Sequence, residues 1–120
     1  MNVKLLRKVQ KHILAEPQRW SFSWAISSPQ APCGTRACIG GWTVILGKKI
    51  DLSTGLQFTA ENNAGVASEL LGLTDEERNR LFFYWPEPFL DRSFKYKTQE
   101  ALAKNAANRI EHFIKTKGRE

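Results

Sequence analysis

Apolar residues recur at α-helical spacing through most of this chain, in runs separated by helix caps and stops, and that pattern leaves little room for a sheet. Leu6, Val9 and Ile13 form such a stripe over about Val3 to Glu16, widened by Leu5 and Leu14, and Pro17 ends it. Thr35 offers an N-cap for a helix from Arg36 to about Leu46, with Ile39, Trp42, Ile45 and Leu46 on its buried side and Gly47 closing it. From Glu61, the residues Ala64, Ala67, Leu70 and Leu71 share a face, and Gly72 is the C-terminal stop. Thr74-Asp75-Glu76-Glu77 is a capping box with acids in the first turn, where the helix dipole favours them. That helix carries Leu81 and Phe82 and ends near Trp85-Pro86; Pro86 and Pro88 then set a turn holding Phe89 and Leu90. A last helix runs from near Thr98 to about Thr116, with Leu102, Ala106, Ile110, Phe113 and Ile114 facing inward.

Two stretches break the helical pattern. Trp20-Ser21-Phe22-Ser23-Trp24 alternates strictly, which puts three aromatics on one face of an extended segment. Those rings serve either as core plugs, the favoured reading, or as a stacking platform for bases or sugars. Ile50 to Phe58 reads as a small hairpin around Ser53-Thr54-Gly55 or as a loop with two apolar anchors.

The expected fold is mainly α: one compact domain over residues 1–120, of four to five helices with at most a small β-hairpin. A chain of 120 residues is long enough to bury an ordinary core without metal or disulfide support. No apolar run approaches the roughly 20 residues of a membrane span. The start, Met1 to Lys8, has no uninterrupted apolar stretch after its charges, so no signal peptide is expected. A cytoplasmic location follows as the expectation, with cysteines reduced by default.

Candidate chemistry centres on Cys33-Gly34-Thr35-Arg36-Ala37-Cys38-Ile39-Gly40-Gly41-Trp42, which holds both cysteines of the chain. With Thr35 as N-cap, Cys38 falls at the third helical position. There the helix dipole and Arg36 would favour a thiolate, with Cys33 as a resolving thiol. The favoured reading is nonetheless a pair of small buried hydrophobes beside a tight turn. Gly40 and Gly41 cost roughly 1 kcal/mol each relative to alanine inside a helix, so a close approach of another helix or a tryptophan ring is expected there. His12 and His112 have no metal-like partner four residues on, and two Cys with two His at these spacings match no zinc finger or ribbon, so no metal and no cofactor are expected. No phosphate-binding glycine loop, G-x-S-x-G or H-E-x-x-H is present, which argues against an enzyme.

Net charge is +6, and Lys4, Arg7, Lys8 and Lys11 gather on the first helix, with Lys115, Lys117 and Arg119 at the other end of the chain. Such a face attracts an acidic protein or, non-specifically, nucleic acid; it is otherwise a solvated helix surface. A helix-turn-helix at Leu73-Thr74 is disfavoured, because Asp75, Glu76 and Glu77 would face the phosphates.

Cys33, Gly34, Thr35, Cys38, Ile39, Gly41 and Trp42, followed by Ala67 to Thr74 and Leu81-Phe82, resemble a group of small uncharacterised proteins of bacteria and their phages. The resemblance implies a shared fold and a bacterial or phage setting, with no activity attached. Together these readings point to a non-enzymatic binding or regulatory module with the basic first helix as its contact surface. The alternative is a thiol-dependent redox or sensor protein using Cys38 and Cys33.

Overall fold

The computed structural model describes residues 1–20, 38–48 and 60–119, with the side chains of 60–64 left aside. Six α-helices are found among them: α1 (Val3–Ala15), α2 (Ile39–Lys48), α3 (Ala60–Leu71), α4 (Asp75–Phe82), α5 (Phe89–Lys95) and α6 (Gln99–Lys115). A 3-10 turn, Pro17–Arg19, follows α1, and no strand occurs among the described residues. The mainly helical class is as expected. The helix count is higher than expected, because α5 stands where a proline turn alone was anticipated. The Ile50–Phe58 stretch, Phe22 and Trp24 lie outside the described residues.

Local chain chemistry sets most of the boundaries. The Asn2 side chain accepts from the Leu5 N–H and caps α1, while the Thr98 hydroxyl accepts from Ala101 N–H and caps α6. Thr74 and Glu77 make the reciprocal capping box at α4. At the end of α3, Gly72 takes φ +66°, its N–H donating to Glu69 and that of Leu73 to Ser68. This closes the last turn with a left-handed residue that glycine adopts without a Cβ penalty. Helix α6 ends in the same pattern, Lys117 N–H to Ile114 and Gly118 N–H to Phe113. There, however, Lys117 carries the positive φ at the matching position.

The core lies where α1 meets α6 and α2, α2 meets α3, and α4 closes against α6. Leu6, Val9, Ile13, Trp42, Val44, Leu71, Leu81, Ile110 and Phe113 are its centre. Leu14 departs from the expected stripe. It is 51% exposed, because it lies on the shoulder of α1 turned away from α2 and α6. Trp42 is buried, donates its indole N–H to the Arg19 carbonyl at 3.2 Å, and packs against the His12 ring at 4.2 Å. Trp20, the first ring of the alternating segment, is also a core residue, stacked on Trp85 at 6.1 Å.

Helix α6 buries more than an apolar stripe. Asn105 and Arg109 are inside, the latter with no exposed surface. The Arg109 guanidinium donates to the Arg80 carbonyl at 3.0 Å, in the last turn of α4, where carbonyls lack helical partners and the dipole is negative. It lies 5.7 Å from the Phe89 ring centre and 5.6 Å from that of Phe113, a cation between two π faces. The Asn105 amide donates to the Phe89 carbonyl at 3.0 Å. One helix thus fastens the end of α4 and the start of α5, and so fixes how α5 is presented.

Candidate functional site: the thiol and the cationic groove

Cys38 does not occupy the third position of its helix. Helix α2 begins at Ile39, and the Cys38 carbonyl accepts the Trp42 N–H at 2.9 Å, so the residue stands at the threshold. The thiol looks into a void of about 10 Å³ among Trp20, Ile39, Leu81, Phe82 and Trp85, room for at most one water. Burial pushes its pKa up, and the nearby N–H groups of Gly41 and Gly40 only partly oppose this. Of the two readings of Cys38 this accords with the favoured one, a small buried hydrophobe, and not with a low-pKa thiolate: desolvation by aromatic neighbours outweighs the helix start. Cys33, Thr35 and Arg36 lie outside the described residues. Among the described residues no group of three or more His, Cys, Asp or Glu is placed to hold a metal ion.

At Gly40 the expected close approach is not found. A Cβ at Gly40 would meet the Phe82 ring at 3.8 Å and the Cys38 sulfur at 3.9 Å, ordinary contact distances. A close approach occurs at Gly47, which lies within α2 and does not close it. A Cβ there would come within 2.9 Å of Leu70 Cδ1 and 3.2 Å of Leu5 Cδ2. Its missing side chain lets α1 and α3 converge over α2.

That convergence leaves a groove of about 230 Å³, lined by Asn2, Lys4, Leu5, Lys8, Leu46, Gly47 and Leu70. Leu5, Leu46 and Leu70 give it an apolar floor, while Lys4 and Lys8, one helical turn apart, form a cationic rim. Its end is braced: the Asn2 N–H donates to the Leu71 carbonyl at 2.7 Å, and the Asn2 amide reaches the Leu70 carbonyl at 3.4 Å.

The four basic residues of α1 have different fates. Arg7 is drawn away by an ion pair with Glu111 of α6, reinforced by Gln10, which bonds both Glu111 and the Ala107 carbonyl. That pairing holds the Glu111 carboxyl below its usual range. Lys11 is exposed and does not line the groove. Lys4 and Lys8 are exposed and form no ion pair among the described residues. Lys4 sits in the first turn of α1, where the helix dipole disfavours a cation and no acid balances it. The sequence reading found the lysines but missed the groove; Gly47, read as a helix stop, was its one local sign.

Searches against protein-family models, curated proteins and solved structures return no match. Among the described residues no helix is long and apolar enough to cross a membrane.

Proposed function

We propose that this chain is a non-enzymatic binding module whose α1–α2–α3 groove receives an acidic protein segment. The observation that carries the reading is the pair Lys4 and Lys8, without an ion pair among the described residues and above an apolar floor, while Arg7 on the same helix is neutralised. A carboxylate-bearing segment would meet the two ammonium groups and lay an aliphatic side chain against Leu5, Leu46 and Leu70. The apolar floor favours a protein segment over nucleic acid, whose backbone offers that floor nothing to bury. A bacterial or phage setting accords with the residues around Cys38 and Trp42. The thiol reading draws no support from a sulfur that is buried, raised in pKa and facing a void too small for a substrate.

The test uses a fluorescent short peptide of alternating glutamate and leucine, titrated with the protein at low and moderate salt, beside a labelled single-stranded oligonucleotide. The peptide is expected to bind, to weaken as salt screens the charges, and to lose most of its affinity to Lys4→Gln/Lys8→Gln. Binding that ignores both lysines, or no peptide binding at low salt, overturns the proposal. Tighter binding of the oligonucleotide transfers the surface to nucleic acid.

A further inference from the structure

Helix α5 carries a second surface, independent of the groove. Phe89 is buried and held through its carbonyl by Asn105, so the inner side of the helix is fixed against α6. Its outer side is unusual for so short an element: Phe94 is 81% exposed, and Leu90, one turn earlier on the same face, is half-buried. Tyr96, just past the helix, is 40% exposed. Beside this apolar line runs a charged one. Glu87 and Asp91 lie toward the start of α5, with the Glu87 carboxylate accepting from the Asp91 N–H at 3.1 Å. Lys95 and Lys97 lie toward its end, and Lys95 meets Asp91 at 2.9 Å. All four charged residues are exposed.

Acids at one end and bases at the other make the strip its own complement when reversed. A uniformly acidic or basic partner would be repelled by half of it. A second copy turned antiparallel about a two-fold axis would set Lys95 and Lys97 against the partner copy's acids, with the two apolar lines between them. We infer that α5 is a self-association surface through which two copies pair face to face, with Phe94 at the centre. A helix of seven residues supplies less than the about 800 Å² per partner of a stable interface, so the dimer is weak and concentration-dependent.

Sedimentation of the whole chain from about 1 µM to about 500 µM tests this, a range spanning the affinities of weak pairs. The wild type is expected to move from monomer to dimer across it, and Phe94→Ser to remain monomeric with unchanged helical circular dichroism. Two charge variants make the decisive arm, Glu87→Lys/Asp91→Lys and Lys95→Glu/Lys97→Glu. Each is expected to be monomeric alone, and the two are expected to associate when mixed. A wild type monomeric throughout, a dimer that survives Phe94→Ser, or charge variants that stay apart on mixing each overturns the inference.

Discussion

Arg109 and Lys4 are both cations on helices, and the chain treats them in opposite ways. Arg109 is fully buried on α6, bonded to the carbonyl end of α4 and sandwiched between Phe89 and Phe113. Lys4 stands in solvent on α1, at the end of the helix where its charge is disfavoured, beside a groove it does not fill. A buried cation must have its hydrogen bonds and π contacts supplied by the fold, or desolvation would make the site untenable. Lys4 gains nothing comparable from the described residues, and the proposed groove is the reading that gives its placement a use. The α4–α5–α6 side uses charge to assemble the molecule. The α1–α2–α3 side leaves the charges of Lys4 and Lys8 without an ion pair among the described residues.

The largest expected effect lies on the assembled side. Arg109→Ala removes a buried side chain and strands the Arg80 carbonyl, so equilibrium denaturation is expected to show a loss of about 3–5 kcal/mol. Arg109→Lys is expected to recover only part of it, because an ammonium has neither the planar face nor the fork of the guanidinium. A loss under about 1 kcal/mol for Arg109→Ala would erase the contrast between the two sides.

A smaller effect is expected from His12, half-buried against Trp42. Burial lowers its pKa below the ordinary 6.5, a shift that Glu16 opposes and Arg19 assists. The unfolded imidazole therefore takes up a proton before the folded one does. This contribution to stability is complete above about pH 6.5, declines as the pH falls toward the folded pKa, and is constant below it. Stability measured against pH is expected to lose that decline in His12→Gln; an identical slope in the variant would show that the ring titrates freely.

The smallest effect has the opposite sign. Lys4→Glu puts an acid at the positive end of α1 and is expected to raise stability by about 0.3–1 kcal/mol while abolishing binding of the acidic peptide. Stability and binding falling together would mean that Lys4 serves the fold, and the comparison would collapse.

Signals that act within a few residues were legible in the sequence. The start of α4 was visible because Thr74 and Glu77 satisfy each other's backbone across one turn, and the end of α3 because Gly72 alone takes its positive φ without strain. The stripe of Leu6, Val9 and Ile13 gave α1 its buried side, since a helix repeats every 3.6 residues whatever it packs against. Helix α5 had no such signal: Pro88 precedes it without a side-chain cap, and one buried phenylalanine is no stripe. Lys117 closes α6 in a conformation that sequence assigns to glycine.

Sequence by itself thus determined the helical class, the core side of α1, the capping box of α4, the Gly72 stop of α3, and which residues carry positive charge, because each follows from covalent geometry and neighbours in the chain. Tertiary structure alone decided which charge is buried, which is paired and which stands free. Arg7 meets an acid 104 positions away, Arg109 meets a carbonyl 29 positions back, and the Cys38 thiol is desolvated beside rings from two other parts of the chain. Hydration and Coulomb energy depend on distance through space, and no spacing along the chain encodes that.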